Sequence, residues 1–169
     1  QEQAMIIMRY YIEHIGDSPI FLSKLDYEDR SNYSRLKQDR SKSRISLNNG
    51  GTIFVLSAQS KFINKSMSAV MGQNATTVIE DEASLINDNS EATIFRMISG
   101  KGEDGMYVKI GNTFNRNHFF DSCHDSKYKR INIDCYQGLS EGRITEEIIE
   151  EASKKPLFDI LFKNQFPPE

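Results

Sequence analysis

The segment Ala75 to Ile86 reads ATTVIEDEASLI, an apolar, β-branched run that closes on three consecutive acids, Glu80, Asp81 and Glu82. Carboxylates at the end of a strand can hold Mg²⁺, usually through water, while a neighbouring carboxylate polarises an attacking water toward a γ-phosphate. Adjacent residues at a strand end point apart, so Asp81 can face the metal and Glu82 the nucleophile. A local alternative stands beside this one: acids also cap strands or favour the start of a following helix, and Glu82 before Ala-Ser-Leu-Ile suits that role. A second stretch, MYVKIGNTFN, carries Val108 and Ile110 into Gly111-Asn112-Thr113. These small polar residues are expected at the carboxyl end of a strand beside the acidic one, where Asn112 or Thr113 would sense the phosphate or its water. Gly-Asn is also ordinary turn chemistry.

Cys123 and Cys135, with His118 and His124 nearby, are the other residues whose types could bind a metal. Their spacing fits no paired-ligand pattern such as C-x-x-C with H-x-x-x-H, so two reduced thiols near surface histidines are the expectation and no metal is assigned.

Active sites in parallel sheets lie at the carboxyl ends of the strands, so the elements around the two stretches decide what they can do. Val78 and Ile79 match a strand covered by helices on both faces. Ahead of it, Ala4, Met5, Ile7, Met8, Tyr11, Ile12 and Ile15 recur at helical spacing and Gly16 is a natural stop. PIFLSKL reads as a short strand. RISLNNGGTIFVLSA reads as a hairpin, with Asn49-Gly50-Gly51 supplying residues that tolerate positive φ. After the acids, SEATIFRMIS reads as a helix and YKRINIDC as a strand. TEEIIEEASKK reads as a helix with Thr145 as N-cap and Pro156 as its stop. Strands alternating with helices predict an α/β domain with a largely parallel sheet and one antiparallel hairpin.

The 169 residues are enough for one domain with a core of its own. Twenty-one Lys plus Arg against 24 Asp plus Glu leave a net charge of -3, which neither recommends nor excludes nucleic acid. Arg35, Lys37, Arg40, Lys42 and Arg44 lie close to Tyr27 and Tyr33 and offer a local basic surface, although interleaved acids favour a solvated loop. No apolar run approaches the roughly 18 residues of a membrane span, and the start has no secretory signal pattern. The sequence opens without Met inside an apparent helix, which is expected of a chain that begins within a larger element.

In order, these blocks resemble one family: the large terminase subunit of tailed double-stranded DNA bacteriophages, in its packaging ATPase domain. The resemblance rests on the helix with QEQA, the hairpin RISLNNGGTIFVLSA, the Walker B-like TTVIEDEASLI preceded by Gly72, and the coupling-motif-like VKIGNTFNRNHFF. The tail RITEEIIEEASKKPLFDILFKNQFPPE is similar to that domain's closing helices and run into a linker. It implies a P-loop NTPase fold of the additional-strand type, mostly parallel and flanked by helices, of which residues 1–164 would be the C-terminal portion and 165–169 the start of the linker. It implies ATP and Mg²⁺ as cofactors and double-stranded DNA, a portal protein and the small terminase subunit as partners. A homo-oligomeric ring in the bacterial host cytoplasm, transiently at the procapsid, is implied as well, with no membrane. Carried over, Asp81 would organise Mg²⁺, Glu82 would be the catalytic carboxylate, and Gly111, Asn112 and Thr113 would contact the nucleotide and couple hydrolysis to movement.

The chain departs from the family in two places. No G-x-x-x-x-G-K-[ST] loop occurs in it, so it lacks that backbone cradle and lysine for phosphates. By itself it is expected to bind ATP poorly and not to turn it over. In the family the loop lies upstream of the helix that opens this sequence, and a nuclease domain comes after the linker. Met71-Gly72 also stands where such terminases often carry Arg-Gly, and methionine cannot stabilise phosphoryl charge; either another cation such as Lys65 or Arg96 takes that role or activation between subunits is altered, and no arginine finger is assigned. The competing readings are a degenerate prophage remnant or DNA-binding module without activity, and another nucleic-acid-dependent P-loop ATPase such as a helicase.

Overall fold

The computed structural model describes residues 2–25, 44–55 and 74–168. The chain divides into two compact units, residues 1–66 and 67–169. In the first, α1 (Glu2–Asp17) is the helix that its apolar spacing predicts. Its Ile12 is buried with Leu25 and Ile45, and Leu22, Leu47, Ile53 and Val55 pack around the three. The predicted strand in PIFLSKL is instead α2 (Pro19–Leu22). Ser18 takes extended backbone as its N-cap, and Pro19, whose missing N–H costs nothing in a first helical turn, starts it. Strand character survives only as an isolated antiparallel bridge from Leu25 to Leu47.

The hairpin forms as expected: β1 (Arg44–Ser46) runs antiparallel to β2 (Thr52–Phe54), with Ile45 opposite Ile53. Gly50 closes its turn at φ 81°, a conformation that a Cβ would oppose. Among the described residues the hairpin is a two-stranded sheet of its own. The basic stretch from Arg35 to Lys42 lies outside the described residues, as do Lys65, Met71 and Gly72.

In the second unit, β3 (Thr77–Glu80) and β4 (Met106–Lys109) pair in parallel, with Ile79 opposite Val108 and Glu80 opposite Lys109. The connection between them contains α3 (Asp88–Ser99), as a parallel pair requires. Asn87 starts α3 by accepting the Ser90 N–H at 2.9 Å, with Asp88 and Glu91 in the first turn and Arg96 in the last, all favourable to the helix dipole. Helices combined with a parallel pair and an antiparallel pair make the chain α/β in class. The expectation that β3 is covered on both faces is corrected: Ile79 is 53% exposed, whereas the alternating Val78 and Glu80 turn inward.

After β4 come α4 (His118–His124), α5 (Cys135–Ser140), α6 (Glu146–Ser153) and α7 (Phe158–Leu161). Thr145 caps α6 as its sequence implies, accepting the Ile148 N–H at 3.4 Å. YKRINIDC is not a strand: its last backbone groups bond outside any sheet, with Asn164 donating to Ile133 O at 2.8 Å and Asp134 serving as the N-cap of α5. Residues 165–168 run back along α4, where Phe166 meets Phe120 edge-on at 4.9 Å and Arg116 Nε donates to Pro167 O at 2.8 Å. No helix among the described residues is long and apolar enough to cross a membrane.

Candidate functional site

Strand β3 ends where its acids begin. Ile110 N–H still donates to Glu80 O at 2.9 Å in the parallel ladder, and Ala83 N–H then donates to Ile110 O at 2.8 Å. Between those two bonds the chain turns: Glu82 adopts the left-handed conformation, φ 52° and ψ 45°, and its N–H is held by Asp81 Oδ1 at 3.2 Å. Left-handed backbone at a non-glycine residue is uncommon, and it redirects the chain within one residue. A 3-10 turn, Ala83–Leu85, comes next, with Ala83 and Ser84 fully buried.

The exit of β4 crosses this turn at backbone contact. A Cβ on Gly111 would stand 3.0 Å from Ala83 N and 3.2 Å from Glu82 Cα, so only glycine fits without displacing the acid turn. Asp81, Glu82, Gly111, Asn112 and Thr113 are therefore brought to the carboxyl ends of two adjacent parallel strands, as their sequence spacing predicts. Asp81 is exposed, Glu82 and Asn112 are half-buried, and Thr113 is buried. Five buried side-chain oxygens among the described residues lack a hydrogen-bond partner, and Glu80 Oε2, Glu82 Oε2, Ser84 Oγ and Thr113 Oγ1 are four of them. Such atoms are rare in native folds and concentrate where water, an ion or a ligand completes the bonding.

The three acids do not serve one spot. Glu80 points away from Asp81 and into the unit, 3% exposed, where β4, α3 and α4 surround it with a polar cluster that sequence reading missed. Tyr107 OH donates to Glu80 Oε1 at 2.7 Å, and the same hydroxyl lies 3.2 Å from Glu91 Oε1. Lys109 Nζ donates to Glu91 Oε1 at 3.0 Å, to His118 Nδ1 at 3.0 Å and to Ser122 Oγ at 2.9 Å. Three ammonium hydrogens thus meet three acceptors. Ser122 Oγ in turn donates to His118 O at 2.7 Å.

This geometry fixes the histidine. An ammonium only donates, so Nδ1 of His118 accepts and the ring proton sits on Nε2, which donates to Ile86 O at 3.1 Å. Burial first, and then the Lys109 charge, hold the His118 pKa below its ordinary value. The 3.9 Å approach of His118 Nδ1 to Glu80 Oε2 is accordingly a contact between a neutral ring and a carboxyl group, not an ion pair. Burial pushes the Glu80 carboxyl up, against the pull of the Tyr107 hydrogen bond and Lys109. Burial, together with the hydrogen bond to Glu80, pushes the Tyr107 phenol up as well, so it remains a donor.

Oxygen donors at the acid turn suit a hard cation. No three His, Cys, Asp or Glu side chains among the described residues are grouped so as to hold a metal ion. Asp81 is the exposed carboxylate of the turn. His118 is committed through both ring nitrogens to Lys109 and Ile86, and Cys123 is held as a thiol by burial, which pushes its pKa up. Comparison with protein-family models, with curated proteins and with solved structures finds no match to this chain.

Proposed function

We propose that this chain is part of the ATP-hydrolysing motor that drives viral DNA into a procapsid, the large terminase subunit, in a P-loop NTPase fold of the additional-strand type. The observation that carries the reading is the meeting of Asp81-Glu82 with Gly111-Asn112-Thr113 at the carboxyl ends of adjacent parallel strands, with unpartnered buried oxygens on Glu82 and Thr113. Open α/β sheets bind ligands at that end. Bound Mg²⁺ would supply charge neutralisation at the phosphates, with Asp81 as its protein carboxylate. Glu82 takes the proton of the attacking water, and its left-handed backbone sets its carboxylate apart from that of Asp81. Asn112 and Thr113 orient the water or phosphate oxygen. Gly111 lets β4 register any displacement of Glu82 through direct backbone contact.

The phosphate cradle has to come from outside these residues, since no G-x-x-x-x-G-K-[ST] occurs among them. Double-stranded DNA, a portal protein, the small subunit and further copies in a ring are the partners this function needs, in the cytoplasm of a bacterial host. The test uses the natural protein that carries this chain. DNA-stimulated ATP hydrolysis is expected, reduced by about 10³-fold in Glu82→Gln and shifted to higher Mg²⁺ in Asp81→Asn. Salt-dependent DNA binding that ignores nucleotide, without hydrolysis, would instead favour the inactive binding module. Unwinding of duplex DNA without packaging would favour a helicase.

A further inference from the structure

The turn that carries Asp81 and Glu82 is gripped from residues 115–118. Ser84 and Ile86 sit beyond the last ladder bond of β3, where Ser84 is fully buried and Ile86 half-buried, so their carbonyls need partners outside the ladder. Asn117 Nδ2 donates to Ser84 O at 3.0 Å and to Ile86 O at 2.7 Å. Asn115 Nδ2 donates to Ser84 O at 2.8 Å. His118 adds its backbone N–H to Asp88 Oδ1 at 2.9 Å.

Asn117 uses both ends of its carboxamide. While Nδ2 holds the turn, Oδ1 accepts the Phe119 N–H at 3.1 Å and caps α4. Serine or aspartate can also cap a helix, but neither offers the two donors that reach Ser84 and Ile86. The cap alone therefore does not account for asparagine here.

We infer that Asn117 is the positioning residue of the acid turn: one carboxamide locks Ser84–Ile86 to the start of α4 and so fixes where Glu82 stands against Gly111–Thr113. The kinetic consequence rests on the proposed ATPase reading; the structural consequence does not.

Asn117→Asp keeps the shape and the cap, removes both donors and sets a carboxylate against two carbonyls. Asn117→Ser keeps a cap without the charge. Residue-resolved amide exchange on the 169-residue chain is expected to speed up about tenfold at Ala83 and Leu85 in both variants, with α3 and β4 within about twofold of wild type. Unchanged exchange at Ala83 overturns the inference, and so does uniform acceleration through the whole unit, which would make Asn117 a general fold contact. In the natural protein, kcat for ATP should fall about 10- to 100-fold in Asn117→Asp, with KM within about twofold, because misplacement rather than lost binding is the defect. Equal kcat in variant and wild type also overturns it. Absence of ATP hydrolysis in the wild type refutes the proposed function instead, and the exchange result still decides the role of Asn117.

Discussion

Replacing Tyr107 with Phe removes one oxygen from the polar cluster and leaves the ring in place against Phe95, 5.9 Å away between centroids. The lost bond is the 2.7 Å donation to Glu80 Oε1, and no other donor to that carboxyl group is at hand among the described residues. Hydrogen bonds to charged, buried acceptors contribute roughly 1.5–3 kcal/mol, against about 1 kcal/mol for neutral pairs. The size of the loss should therefore track the ionisation of Glu80. Burial raises its pKa above the ordinary 4.5 in the folded protein, so its protonation stabilises the fold fully below that value. That stability is lost as pH rises through the elevated folded pKa. The Tyr107 bond opposes the rise, and Tyr107→Phe pushes the carboxyl further up. Urea unfolding monitored by far-UV circular dichroism from pH 5 to pH 8 should show a loss of about 1 kcal/mol where Glu80 is protonated, growing toward about 2–3 kcal/mol as it ionises. In a Glu80→Gln background the same substitution should cost about 1 kcal/mol across that range. A loss under about 0.5 kcal/mol at pH 8, or a greater loss at pH 5 than at pH 8, would refute the assignment of Tyr107 as the donor that supports a buried carboxylate.

Gly111→Ala is expected to cost about 1–3 kcal/mol through the 3.0 Å approach to Ala83 N, with its largest amide shifts at Glu82 and Ala83; wild-type shifts there would remove the strand crossing as the reason for glycine. His118→Gln should make stability less sensitive to acid. The depressed His118 pKa leaves its contribution intact above 6.5, to be lost as pH falls from there toward the folded value. Glu80 acts in the opposite sense over the acid range, so the quantity to compare is the slope of variant against wild type between pH 7 and pH 5.

Much of the scaffold is legible in local chemistry. Asn49-Gly50-Gly51 between alternating apolar residues specifies a hairpin, Thr145 followed by acids starts a helix, and the two apolar runs ending at Glu80 and Ile110 are adjacent parallel strands. The misreadings have local causes too. Pro19 in PIFLSKL is a helix starter as readily as a strand edge, and here it stands in the first turn of α2. YKRINIDC has β-favouring residues, but Ile131 is 75% exposed and the segment pairs with no strand among the described residues, and sheet propensity without pairing makes no strand. The polar cluster was hidden for a different reason. Val78 and Glu80 alternate with Ile79, and Tyr107 and Lys109 with Val108, yet these become one buried face only when Glu80 is set opposite Lys109. That register is a tertiary fact. The role of Asn117 is hidden likewise, since its partners lie 31 and 33 residues away.

The buried cluster bears on the acid turn through register. Burying two carboxyl groups and one ammonium is costly, and well-packed apolar side chains of similar size are often as stable or more so. What such side chains would not do is penalise a slip of one residue. Moving β3 by one position, so that Ile79 stands opposite Lys109, turns Glu80 out to the face that now carries the exposed Ile79. Lys109 then keeps Glu91, while Tyr107 loses the acceptor at 2.7 Å. The same slip carries Asp81 and Glu82 one residue along Gly111–Thr113, where the close crossing at Gly111 no longer meets Glu82 Cα. Among the described residues the parallel pair has two strands, and such a pair has few apolar contacts with which to specify its own alignment. In this unit the cross-strand bond from Tyr107 to Glu80 supplies that specification, and the position of the exposed carboxylates depends on it.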